Sequence, residues 1–194
     1  MSFKLIVGCP SPPGWIKTVL ADFDAFLQDH ADCERKASAT AMSLVAKYPN
    51  RVEIIPELIA IGIEELEHFQ QVYDIMELKG LQLAHSIHED PYIKAIMKAK
   101  HDGIEEQFLD RLLIASIVET RGAERFKLVA QHTPQKEMVN FYKMLWVSEA
   151  KHGHVYVKMA LNYFPQEKVL DRLKYWVKTE ADIIESIPLR AALH

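Results

Sequence analysis

The stretch IEELEHFQQVY, residues 63–73, has a counterpart in SEAKHG, residues 148–153. Each contains a Glu-x-x-His: Glu65-Leu66-Glu67-His68 in the first, Glu149-Ala150-Lys151-His152 in the second. On an α-helix, positions i and i+3 share a face and are separated by about 4.5 Å of rise. One carboxylate oxygen and one imidazole nitrogen can therefore reach the same metal ion. A single motif of this kind carries little weight. With 17 Glu and 9 His in 194 residues, chance alone supplies about one.

The specific signal is repetition together with what lies upstream. Glu34 precedes Glu65 by 31 residues, and Glu119 precedes Glu149 by 30. Apolar spacing predicts helix A over about Leu20–Tyr48, broken at Tyr48-Pro49-Asn50, and helix B over about Val52–Lys79 with Gly80 as its stop. A short helix follows from Asp90 and Pro91 to about His101. Helix C spans about Ile104–Gln131, helix D runs from Thr133-Pro134 to about Phe164, and a last amphipathic helix covers about Gln166–Ser186. Each of the four glutamates falls roughly 12–15 residues from its hairpin turn, about 20 Å along the axis. Two hairpins then present four Glu and two His at one level. Tight A–B and C–D connections with a long B–C crossover give the connectivity of a ferritin-like bundle. The ligand pattern is that of its di-iron and di-manganese members.

Composition agrees. Apolar residues make up 49% and charged residues 26% of the chain, as in an ordinary globular domain. The expectation is one ferritin-like domain over residues 1–194, with a Pro-rich irregular lead-in at 1–13 and a tail at 187–194. Seven glycines argue against an all-β fold, and Cys9 and Cys33 are too few for a disulfide framework or a four-cysteine metal site. No segment reads as a signal peptide or a membrane span, so a cytoplasmic protein is expected. The formal charge of −4 equals that of the four ligand glutamates, and two divalent cations would neutralise them. Carboxylate-rich ligation with one His per metal suits Fe or Mn better than Zn or Cu.

Several neighbours of the ligands are candidates for a pocket wall or for hydrogen bonds to the ligands. Ala37 and Ala41 lie on the Glu34 face, Ser116 and Gly122 flank Glu119, and Trp146 and Tyr156 are one turn from Glu149 and His152. Gly122 inside a helix costs about 1 kcal/mol relative to Ala, which room for O2 or a substrate would explain; close helix packing would explain it equally. Glu64, Glu67, Arg121 and Glu124 are candidates to orient the ligating histidines. His85, His88, His132 and His154 have no counterpart in the repeat and read as non-ligands.

Three classes of protein use such a site: iron-storage cages, rubrerythrin-type peroxidases, and O2-activating oxygenases. Two cysteines cannot build the rubredoxin domain of the second, and small residues near Glu34 and Glu119 favour the third. ADCERKASATAMSLVAKYP (31–49), IEELEHFQQVY (63–73), IVETRGAERF (117–126) and SEAKHG (148–153) together resemble the bacterial tRNA hydroxylases acting on 2-methylthio-N6-isopentenyladenosine. The likeness covers almost the whole chain and keeps all six ligand positions. It implies hydroxylation of the isopentenyl side chain by two Fe ions (Mn as the alternative metal), with O2 as co-substrate and electrons from an external reductase. Glu65 and Glu149 would bridge the metals, and Glu34 and Glu119 would be terminal. The runner-up is a di-iron oxidase or oxygenase on a small molecule, and the non-enzymatic alternative is iron storage of the ferritin type. A tRNA substrate requires local basic patches; the candidates are Arg35, Lys36, Lys94, Lys98, Lys100, Arg121 and Arg125, with His101 and Lys127 beside them. The modified base would have to be splayed out of the anticodon loop. A monomer or small homo-oligomer is expected.

Overall fold

The computed structural model describes residues 5–84 and 90–194, and every regular element among them is a helix. In order these are α1 (Trp15–Ala21), α2 (Phe23–Lys47), α3 (Ile55–Leu78), α4 (Pro91–Lys98), α5 (Ile104–His132), α6 (Lys136–Leu161) and α7 (Gln166–Ser186). The four long helices, the crossover helix α4 and the terminal α7 are those predicted, and the fold is all-α and ferritin-like. Its residues group into two compact units.

One unit begins at Lys17 within α1, contains the α2–α3 hairpin and takes in residues 190–193. Its apolar stripe buries Phe26, Leu27, Ala31, Ala41 and Leu44 from α2, and Leu58, Ile61, Val72 and Met76 from α3. Apolar spacing predicts helix A as one piece from Leu20, but the chain breaks at Asp22. The Asp22 side chain accepts a hydrogen bond from Ala25 N at 3.1 Å and caps α2. A short Asx side chain thus competes with the helix it interrupts. α3 ends as anticipated at Gly80, whose φ of 69° lets Leu81 N donate back to Met76 O at 2.8 Å.

The other unit holds the N-terminal segment to Ile16, α4–α7 and His194. Phe108, Leu112, Leu113, Phe126, Tyr142, Leu145, Val157, Val169 and Trp176 form its core. α6 starts at Lys136 instead of Thr133, because Thr133 precedes Pro134 and is held extended (φ −67°, ψ 135°). Asp110 on α5, fully buried, accepts two hydrogen bonds from the Arg172 guanidinium (2.6 and 2.8 Å), one from Trp176 Nε1 (3.0 Å) and one from His101 N (2.8 Å). Burial alone would raise its pKa, but these bonds hold it below the usual carboxylate range.

Each hairpin carries the same polar clamp. Ser38 Oγ donates to Gly62 O at 2.7 Å between α2 and α3, and Ser116 Oγ donates to Gly153 O at 2.7 Å between α5 and α6. A Cβ on Gly153 would lie 2.9 Å from Thr120 Oγ1 and 3.2 Å from Ser116 O. Only glycine lets α5 and α6 approach this closely.

Candidate metal centre

Within the α2–α3 hairpin, Glu34, Glu65 and His68 are all buried, and their ligand atoms lie within 4.8 Å of one another. His68 Nδ1 is 3.4 Å from Glu65 Oε2 and 3.8 Å from Glu34 Oε2. Glu65 and His68 share a face of α3 by their i, i+3 spacing, and antiparallel pairing brings Glu34 to their height. A further residue belongs here that sequence reasoning does not single out. His30, one turn before Glu34 and fully buried, donates from Nε2 to Glu34 Oε1 at 2.7 Å. Burial first, and His68 second, pull its pKa down to about 3, against an upward pull from Glu65. The contact is therefore a neutral hydrogen bond and not an ion pair. Its sequence signal is the i−4 position relative to Glu34, on the same helical face.

Within α5–α6, Glu119, Glu149 and His152 form a second buried triad, again with ligand atoms within 4.8 Å. Each triad contains two carboxylates and one imidazole. Burying two carboxylates together costs several kcal/mol per charge without compensation, and one divalent cation per triad would balance the charge. The donor set suits Fe or Mn.

Gly122 leaves room beside this triad. A Cβ placed there would meet only Glu149, with Cγ at 3.8 Å and Oε2 at 4.0 Å, so no close packing requires the glycine. Ser116, by contrast, is fully buried and committed to the clamp. Tyr156 is buried, while Trp146 is half-buried with the Lys127 ammonium 4.9 Å above its ring. Ala41 is buried and Ala37 half-buried. Glu67 is exposed and Glu64 half-buried. Glu124 accepts from Ser11 N (2.9 Å) and Ser11 Oγ (2.6 Å). His132 and His154 each use Nδ1 on a carbonyl of their own helix; His85 and His88 lie outside the described residues.

The basic candidates divide. Arg121 is fully buried: Nε and Nη2 bond Glu180 (2.6 and 2.9 Å), Nη2 also donates to Cys9 O (2.9 Å), and Nη1 donates to Glu124 Oε2 (3.1 Å). Burial would lower its pKa, but Glu180 raises it. Arg125 is buried too, donating to Ser11 Oγ at 3.1 Å and stacking on Trp15, with its pKa lowered to about 10 by burial and then by Arg121. Neither guanidinium reaches the surface, so both are corrected from nucleic-acid contacts to structural cations. The acid that Arg121 bonds, Glu180, lies on α7, beyond the reach of local sequence reading. Arg35 is half-buried and paired with Asp32. Lys36 and Lys100 are half-buried, and Lys94 and Lys98 are exposed. The structure adds a further basic row. Lys136, Lys143, Lys151 and Lys158 are all exposed on α6, at spacings of 7, 8 and 7 that align them on the face opposite Glu149 and His152.

A family model described as tRNA-(MS[2]IO[6]A)-hydroxylase (MiaE) matches residues 2–194. The chain belongs to this family. A relative in Pseudomonas putida, named tRNA 2-(methylsulfanyl)-N(6)-isopentenyladenosine(37) hydroxylase, is 32% identical over 180 residues, covering 93% of this chain and 87% of that protein. A protein of the same name in Salmonella typhimurium is 26% identical over 227 residues, covering 92% and 83% respectively. Among solved structures, "Protein 43 with aldehyde deformylating oxygenase activity from Synechococcus" superposes with a TM-score of 0.91 at 28% identity, covering 97% of this chain and 93% of that one. This MiaE-family chain has no helix, among the described residues, long and apolar enough to cross a membrane.

Proposed function

We propose that this MiaE-family chain hydroxylates the isopentenyl side chain of 2-methylthio-N6-isopentenyladenosine in tRNA, at a pair of irons. Glu34, Glu65 and His68 would hold one iron and Glu119, Glu149 and His152 the other. The observation that carries the reading is the pair of buried two-carboxylate, one-imidazole triads in a chain of a tRNA hydroxylase family. When bound, two irons would supply O2-dependent two-electron oxidation. Replacing C–H by C–OH with O2 consumes two electrons and two protons and releases one water, so an external reductase is required.

The residues of the chain supply the surroundings. The methyl-sized room beside Gly122 would bring an alkyl group of the substrate near Glu149. Phosphates of the tRNA would meet the exposed lysines of α4 (Lys94, Lys98) and of α6, attraction that is independent of sequence and sensitive to salt. Specificity would come from the modified base, splayed out of the loop. The enzyme would work in the cytoplasm as a monomer or small homo-oligomer.

The test uses iron-loaded protein, O2, a chemical reductant and tRNA carrying the prenylated nucleoside, read by mass analysis of the digested nucleosides. The expected result is a gain of one oxygen atom on that nucleoside; no gain overturns the reading. A second reading, oxidation of a small molecule, is favoured by the neighbour with aldehyde deformylating oxygenase activity. Free nucleoside or an aldehyde turned over faster than tRNA would establish it.

A further inference from the structure

The six ligands leave one fully buried titratable side chain beside the α2–α3 triad unassigned. This is His30, and its contacts give it a specific task. Glu34 has two carboxylate oxygens. Oε1 accepts from His30 Nε2 at 2.7 Å, whereas Oε2 is the oxygen 3.8 Å from His68 Nδ1, which itself lies 3.4 Å from Glu65 Oε2. The two oxygens of one carboxylate are thus divided between a hydrogen-bond donor and the ligand cluster. The imidazole is not free to release its oxygen: it is fully buried, and Phe26, one turn earlier, stacks against it with ring centroids 5.9 Å apart and planes at 30°.

We infer that His30 is a positioning residue that anchors Oε1 of Glu34 and turns Oε2 toward the ligand cluster, favouring Glu34 as a one-oxygen ligand. The inference rests on the metal-centre reading above. A carboxylate with both oxygens available can chelate one ion through both, or swing to bridge two. With Oε1 anchored by a donor on its own helix, one turn away, either alternative needs Oε1 to turn away from His30 or to share its lone pairs between the N–H and the metal. Hydrogen bonds to metal ligands of this kind are typically worth 10–100-fold in metal affinity. The loss should fall on the ion held by α2–α3, because the ring's hydrogen bond to Glu34 and its stacking on Phe26 both lie on α2.

The test is anaerobic titration of the full-length apoprotein with Co(II), followed by calorimetry and by visible d–d absorption, which reports coordination number. Wild type should bind two ions. His30→Ala should retain one at wild-type affinity and weaken the other about 10–100-fold, with an altered spectrum. His30→Gln, whose amide N–H replaces the Nε2 donor, should restore both affinity and spectrum. His30→Ala binding both ions with unchanged affinity and spectrum overturns the inference. So does a folded His30→Gln that binds as weakly as an alanine variant, since the donor would then not matter. If His30→Ala fails to fold, His30→Gln decides alone: two tight ions with the wild-type spectrum support the inference, and a weakened ion overturns it. Wild type failing to bind two ions overturns the metal-centre reading itself, an outcome distinct from either variant result.

Discussion

Gly122 and Gly153 are both buried glycines in long helices near the same triad, yet they answer to different demands. At Gly153 an added methyl would press on Thr120 Oγ1 and the Ser116 carbonyl. At Gly122 it would reach only ordinary van der Waals distance from Glu149. Gly122→Ala is therefore expected to gain helix propensity, about 1 kcal/mol, and to raise the melting temperature by roughly 2–4 °C. It should also lower hydroxylation several-fold by filling the space beside Glu149. Gly153→Ala should instead lower the melting temperature, since overpacking costs about 1–3 kcal/mol. Thermal melts alongside nucleoside analysis check both, and a destabilised Gly122→Ala with full activity would refute the assignment of that space. At this scale the candidate ligands that the structure gathers into two buried triads are legible in the sequence because their spacing recurs and because each Glu-x-x-His has a glutamate one hairpin upstream. His30 is less legible, since a lone histidine at i−4 from a glutamate is common on any helix. Arg121 and Arg125 mislead because charge beside a ligand suggests a surface, while the acid that buries Arg121, Glu180, lies 59 residues away.

α6 has two faces that periodicity separates cleanly. Glu149, His152 and Tyr156 point inward, and Lys136, Lys143, Lys151 and Lys158 form the exposed row. Glu137 in its first turn is the one outward acid on this helix. The row is a match for a phosphate backbone. Reversing Lys143 and Lys158 to Glu is expected to weaken tRNA binding and to reduce the slope of log affinity against log salt by about 1 for each phosphate no longer neutralised. Lys94→Glu with Lys98→Glu makes the matching test for α4. Filter binding across a salt series reads both; a pair that leaves affinity and slope unchanged does not face the tRNA. Helix existence is readable from apolar spacing over long runs without Gly or Pro. The boundaries that differ have local causes: the Asp22 cap needs neither Gly nor Pro to break a helix, and Thr133 is held extended by the proline after it.

For the whole molecule, the formal charge of −4 equals the charge of the four buried glutamates of the two triads. Apoprotein would hold like charges at close range in each triad, so metal loading and stability are linked. Fe(II) or Mn(II) at about a hundred times its dissociation constant should add about 2.7 kcal/mol per site, raising the melting temperature by roughly 5–10 °C. Differential scanning calorimetry with and without a chelator checks this; an unshifted transition would mean that the triads do not bind. The N-terminal segment has a different consequence, one of timing. Ser11 N bonds Glu124 across 113 residues, and Cys9 O is held by Arg121 across 112. α2 and α3, by contrast, pair through residues only a few dozen positions apart, as Ser38 and Gly62 do. On a ribosome, where the chain emerges from its N-terminus, the α2–α3 hairpin can close as soon as it is made. Cys9 and Ser11 must wait for α5 to find their hydrogen-bond partners, and for α7 before Arg121 meets Glu180. The stretch from Cys9 to Ser11 is thus made well before the partners that fix it.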